Sequence, residues 1–128
     1  MSTINRTYDV IVWGSTGFTG KLTCEYLNKN YPDLKWAIAG RNRAALTELK
    51  TKLQLKESVA ILIADLADPA SLVAITSQTA VLLSTAGPYA KIGAPMVEAC
   101  VRGGAHYCDL TGEAPFVREM VDKYFDEA

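Results

Sequence analysis

The residues with the clearest chemical use are three glycines, Gly14, Gly17 and Gly20, in the segment Tyr8-Asp9-Val10-Ile11-Val12-Trp13-Gly14-Ser15-Thr16-Gly17-Phe18-Thr19-Gly20. An apolar β-branched run ends on Gly14. Helical spacing begins at Gly17, with Phe18, Leu22 and Tyr26 on one stripe. A strand, a tight turn and a helix in that order offer unpaired backbone N–H groups and the positive end of a helix dipole, which together stabilise a phosphate. The glycines have separable roles. Gly14 makes the turn, Gly17 admits a pyrophosphate to the backbone, and Gly20 lets the helix lie close on the strand. The segment reads as a dinucleotide cradle; the bland alternative is a turn that binds nothing. A Walker loop would require Ser or Thr after Gly20-Lys21. Leu22 stands there instead, so the hydroxyl that would hold magnesium is missing and nucleotide hydrolysis loses support.

A second set of residues selects among dinucleotides. About twenty positions past such a turn, a carboxylate normally holds the ribose of NAD, whereas an arginine accommodates the 2′-phosphate of NADP. Here the chain reads Gly40-Arg41-Asn42-Arg43, without a carboxylate. A guanidinium grips a phosphate in a fork, so NADP is favoured over NAD. The competing reading makes Arg41 and Arg43 solvated charges at a helix start, where the dipole disfavours them. Asp65-Leu66 offers an acceptor for the adenine amino group and an apolar cover for the base, or an ordinary turn cap. Ala86-Gly87-Pro88 leaves room for the nicotinamide half of a cofactor, with Tyr89 as a wall or facing substrate, or forms a plain turn.

Catalytic residues are harder to find. Asp109, Thr111 and Glu113 follow the last strand and are candidates to reach substrate or orient the nicotinamide amide. Equally, Thr111 caps the final helix and Glu113 sits favourably at its positive end. His106 begins that strand at the wrong end for a general base. Tyr31 and Lys35 share the Tyr-x-x-x-Lys spacing of short-chain dehydrogenases, but Pro32 lies between them and the pair falls at the amino end of the sheet. No catalytic residue is assigned.

These residues need elements to hold them. The first helix spans Gly17 to Asn30 and stops before Pro32. Leu34 to Ala39 is a strand closing on Gly40. Asn42 or its neighbour caps a helix with Leu46, Leu49 and Leu53 on one face. Val59 to Ala64 is an almost unbroken apolar strand, as expected where helices cover both faces of a parallel sheet. Asp68-Pro69 caps and starts a short helix. Ala80 to Ser84 is the fourth strand. Pro95 starts a helix ended by Gly103-Gly104, and His106 to Asp109 is the fifth strand. Pro115 opens a last helix with Phe116, Met120 and Tyr124 on one stripe and Val117, Val121 and Phe125 beside it. Five alternations of strand and helix predict an α/β fold of three layers, a Rossmann-like doubly wound parallel sheet of order 3-2-1-4-5. Its ligand crevice lies where the winding reverses, between strands one and four.

Composition bounds the rest. A chain of 128 residues is one domain, and a formal net charge of −1 gives no general pull toward nucleic acid or an anionic membrane. No apolar run approaches the roughly eighteen residues of a membrane span. The stretch Met1 to Arg6 carries no apolar signal core, so a soluble cytoplasmic protein is expected. Three cysteines, Cys24, Cys100 and Cys108, without paired short spacing argue against a disulfide framework or a zinc site and for buried thiols.

The glycine segment with its Gly-Phe-Thr-Gly ending, Ala-Gly-Arg-Asn-Arg after the second strand, Gly-Pro-Tyr with Gly93 behind it, Val97-Glu98-Ala99-Cys100 and His-Tyr-Cys-Asp-Leu-Thr-Gly-Glu together resemble the saccharopine dehydrogenase-like oxidoreductases, which include trans-acting enoyl reductases. The resemblance runs over nearly the whole chain. It implies an N-terminal NADP-binding Rossmann domain in which Gly14, Ser15, Thr16, Gly17, Phe18 and Thr19 carry the phosphates and Arg41, Asn42 and Arg43 the adenosine end. Family members are considerably longer, with a second α/β domain that completes the active site and often makes dimer contacts. On that basis the 128 residues are expected to be a piece of a longer NADP-dependent oxidoreductase, inactive alone. Its partners are the dinucleotide, a small-molecule or lipid-like substrate on which hydride goes to a carbonyl, imine or enoyl group, and a second copy of the protein. A non-catalytic NADP sensor and an interaction module with a vestigial loop stay open.

Overall fold

The computed structural model describes residues 6–128, so the reading of the extreme N-terminus lies outside the described residues. In chain order the elements are β1 (Tyr8–Trp13), α1 (Phe18–Asn30), β2 (Trp36–Gly40), α2 (Arg43–Lys52), β3 (Ala60–Ile63), α3 (Pro69–Thr76), β4 (Thr79–Ser84), α4 (Tyr89–Ile92), α5 (Ala94–Gly103), β5 (His106–Asp109) and α6 (Ala114–Tyr124). The five strands form one sheet of order β3-β2-β1-β4-β5, parallel throughout. This is the expected Rossmann-like winding. Its register sets the site: Trp13 stands beside Ala39 on one flank and Ser84 on the other, and Ser84 beside Asp109. The turns after β1, β2, β4 and β5 therefore leave the sheet along one edge.

Alternation along β1 sorts the core into two layers. Ile11 and Trp13 face one way with Ala37, Leu72, Ile75, Leu82, Met96 and Cys100. Val12 faces the other way with Cys24, Trp36, Ile38, Leu46 and Leu49. A third cluster joins Tyr89 and Val97 to the expected α6 stripe of Phe116, Met120 and Tyr124. Helix ends follow local chemistry. Asn42 Oδ1 accepts from Ala45 N–H at 3.1 Å to cap α2, Asp68 accepts from Ser71 N–H to cap α3 ahead of Pro69, and Gly104 closes α5 at φ 82°, a left-handed conformation that glycine adopts without a Cβ penalty.

Four expectations are corrected. The stripe of Phe18, Leu22 and Tyr26 does not face the core: Phe18 is 81% exposed, and the buried face of α1 carries Gly20 and Cys24. Volume selects that face, because a Cβ on Gly20 would overlap the carbonyl oxygen of Gly14 and stand 2.8 Å from Ser15 Cα. Larger side chains are turned outward by the close approach. Second, β3 is only half-buried, ending in an exposed Ile63, since it is an edge strand with incomplete helix cover. Third, Cys108 is exposed on edge strand β5, whereas Cys24 and Cys100 are buried free thiols. Fourth, α4 adds a helix that the spacing does not announce, a single turn being too short to show periodicity.

Candidate functional site

The turn after β1 is built from its backbone outward. Gly14 adopts φ 84°, and a Cβ there would come within 2.8 Å of Ala86 N and Thr85 Oγ1, so only glycine permits the loops after β1 and β4 to touch. Thr85 Oγ1 lies 3.1 Å from the carbonyl oxygen of Trp13 and 3.0 Å from that of Gly14 and donates to this pair. Ser15 is buried and its Oγ donates to Val12 O at 2.7 Å, leaving its backbone rather than its hydroxyl for a ligand. Gly17 is the N-cap of α1, extended at φ −76° and ψ 172°, and no side chain caps the helix. A Cβ on Gly17 would meet only Gly14 O, at 3.5 Å. The space over Gly17 is thus open where the first N–H groups of α1 point, which fits a pyrophosphate.

Across the sheet edge, Trp13, Gly14, Ser15, Thr16, Ala39, Gly40, Arg41, Asp65, Leu66 and Ala86 line one cavity of about 270 Å³. The structure thus brings together the glycine turn, the first arginine, the acidic residue after β3 and the small residue after β4. Among the described residues Arg41 has no carboxylate partner, and it is exposed. Asp65 Oδ1 accepts from Ala67 N–H at 2.9 Å, the turn-cap role. Its carboxylate borders the cavity as well. Asn42 is engaged as the α2 cap, and Arg43, Gly87 and Pro88 lie outside the cavity lining. Phe18 and Thr19 are exposed in the first turn of α1 beyond the lining. A larger groove, about 500 Å³, lies against β5 and α6 and includes none of the glycine-turn residues. The smaller cavity lies at the switch point, where the winding reverses between β1 and β4, and it has the glycine turn and a guanidinium in its lining.

The residues after β5 are committed to one another. Asp109 accepts from Tyr107 Oη at 2.6 Å through Oδ2 and from Thr111 N–H at 3.0 Å through Oδ1. Thr111 Oγ1 accepts from Glu113 N–H at 3.0 Å, so it closes a turn before α6 instead of capping the helix. Glu113 turns away from its own helix: Oε2 accepts from Tyr89 N–H at 2.7 Å and Oε1 from Ala90 N–H at 3.0 Å. Tyr89 turns inward. It is buried, its hydroxyl donates to Ser84 O at 3.2 Å and accepts from Leu110 N–H at 3.4 Å, and burial pushes its phenol up. Burial and then the Asp109 carboxylate push the Tyr107 phenol above its ordinary range. Neither phenol is poised as an acid near neutral pH.

Sequence reasoning missed Thr85 and the lining roles of Trp13, Ala39 and Gly40. The register would have indicated the last three, since residues ending adjacent parallel strands share an edge. Among the described residues no group of three or more His, Cys, Asp and Glu side chains is placed to hold a metal, and no helix is long and apolar enough to cross a membrane.

Residues 10–128 match the family described as the saccharopine dehydrogenase NADP binding domain. The chain is 37% identical over 131 aligned positions to a trans-acting enoyl reductase of Mycobacterium tuberculosis and 36% identical over 129 to one of Mycobacterium ulcerans. Each match takes in 100% of this chain and 31% of the relative. The chain therefore spans about a third of the length of those relatives. Among solved structures, saccharopine dehydrogenase (L-Glu forming) of Saccharomyces cerevisiae superposes with a TM-score of 0.71 at 20% identity, over 88% of this chain and 24% of that one. A short-chain dehydrogenase/reductase of Veillonella parvula in complex with NADP gives 0.65 at 17% identity, over 84% and 49%. At these identities both establish the shared fold. With the family matched across almost all of its length, this chain belongs to the saccharopine dehydrogenase NADP-binding domain family.

Proposed function

We propose that the NADP seat of this domain is the cavity at the β1–β4 switch point, with the backbone from Gly14 to Thr19 at the pyrophosphate. Arg41, aided by Asn42 and Arg43, receives the 2′-phosphate, Asp65 the adenine, and Ala86, Gly87 and Pro88 the nicotinamide half. The observation that carries this reading is the meeting of the Gly14–Ser15–Thr16 turn and a carboxylate-free Arg41 along one cavity, with the uncovered Gly17 next in the chain. When bound, NADPH supplies a hydride. The chain's part is to hold and orient it, with Trp13 and Leu66 excluding water from one side. Titration of the chain with NADPH tests this, because Trp13 lines the cavity while Trp36 is buried in the opposite layer. A saturable change in tryptophan emission is expected; an unchanged signal together with no heat of binding contradicts the reading.

For the longer protein we propose an NADP-dependent oxidoreductase passing hydride to a carbonyl, imine or enoyl group of a small-molecule or lipid-like substrate, in the cytoplasm. The greater length of the trans-acting enoyl reductases it matches supports a further domain, to which this reading assigns completion of the site and the pairing of two copies. One observation favours a second reading, a cofactor-binding module without turnover: Asp109, Glu113, Tyr89 and Tyr107 all spend their polar atoms on structure. NADPH oxidation by the longer protein with carbonyl, imine and enoyl acceptors separates the two, since turnover is expected of the oxidoreductase and none of the module. The 128-residue chain should bind cofactor and turn nothing over, and turnover by it alone would contradict the need for a second domain.

A further inference from the structure

Glu113 is fixed in place by the turn that Asp109 and Thr111 build, and its two carboxylate oxygens reach a loop 24 residues earlier in the chain. There they accept the N–H groups of Tyr89 and Ala90, the first two residues of α4. These are charge-assisted bonds, stronger than neutral ones. The same loop is held from below by Tyr89, whose ring packs 5.9 Å from that of Phe116 and whose hydroxyl joins Ser84 O to Leu110 N–H. Gly93 completes the fit, since a Cβ there would stand 2.6 Å from Phe116 Cζ. The loops after β4 and β5 are thereby one unit. Its free side is Ala86, which touches Gly14 and lines the cavity.

Resting on the reading of that cavity as the NADP seat, we propose that Glu113 is a positioning residue. By clamping Tyr89 and Ala90 it sets the path of Ala86-Gly87-Pro88, the wall that receives the nicotinamide half, and it has no part in proton transfer. Both of its oxygens are occupied by backbone donors, and the adenosine end of the seat, on the far side of β1, is not touched by the clamp. The clamp therefore acts on one half of the ligand only.

The test compares two ligands on three proteins. NADPH carries both halves, and 2′,5′-ADP carries only the phosphorylated adenosine end. In Glu113→Ala, NADPH should bind about tenfold more weakly, the scale of one lost charged hydrogen-bonding partner, while 2′,5′-ADP should change less than about twofold. Glu113→Gln keeps one acceptor oxygen and should fall between, which keeps the comparison decisive if the alanine variant folds poorly. Equal weakening of both ligands, or no change in either variant, overturns the positioning role. Wild-type protein that binds neither ligand overturns the cavity assignment itself, and the positioning role with it.

Discussion

Gly17 and Gly20 are three residues apart and exclude a side chain for opposite reasons. Over Gly17 there is open space, which the proposed seat gives to the pyrophosphate; beneath Gly20 there is the backbone of Gly14 and Ser15, so what a side chain would displace there is protein. Gly17→Val should abolish binding of NADPH and NADH while shifting stability by less than about 1 kcal/mol, as is usual for an exposed N-cap glycine. Gly20→Ala should lower stability by about 1–3 kcal/mol through overpacking. Equilibrium denaturation and cofactor titration on the same samples check both. The thiols give a pH signature. Burial holds Cys24 up at about 11 and Cys100 up at about 12, against an ordinary value of 9.0. A folded-state pKa raised above the unfolded one gives stability that is complete below pH 9 and lost as pH rises through about 11 and 12. Urea midpoints should be flat from about pH 7 to 8.5 and fall by about pH 10.5. A midpoint that holds or rises over that last interval would contradict the burial.

At the scale of elements, β4 is the strand on which both halves of the sheet depend, paired to β1 on one side and β5 on the other. Its Leu82 is fully buried. Leu82→Ala should cost about 2–5 kcal/mol, read as a lower denaturant midpoint. By contrast Leu22→Ser, on the exposed side of α1, should change stability by less than about 0.5 kcal/mol. Had the sequence stripe faced the core, that substitution would cost several times more. The contrast explains what was legible. Runs such as Val10-Ile11-Val12 and caps such as Asn42 and Asp68-Pro69 announce their elements locally, and strand order follows from alternation and handedness. The face that α1 presents depends on how near its axis comes to Gly14, a long-range distance that a hydrophobic stripe does not encode. The four-residue α4 and the exposure of Cys108 likewise depend on neighbours: a carboxylate 23 or 24 residues away, and the absence of a strand beyond β5 among the described residues.

For the molecule as a whole, the sheet register delivers four turns to one edge, and one cavity there gathers six of the thirteen cofactor residues nominated from the sequence. Arg41, Asp65 and Ala86 come together with the glycine turn, whereas Asn42 lies outside the lining with its Oδ1 capping α2. Catalytic residues were not legible, and the hydrogen-bond network gives the physical reason: the carboxylates and phenols near the site are tied to backbone and to one another. Binding and selecting the cofactor is what this domain's own chemistry supports. That claim turns on a guanidinium meeting the 2′-phosphate. The direct measurement is the dissociation constant of NADPH and of NADH, by calorimetry, for the wild-type chain and for Arg41→Ala. NADPH should bind the wild type more tightly, and Arg41→Ala should weaken NADPH by about 1.5–3 kcal/mol while leaving NADH within about 0.5 kcal/mol. Equal losses for the two cofactors, or none for either, would contradict the account.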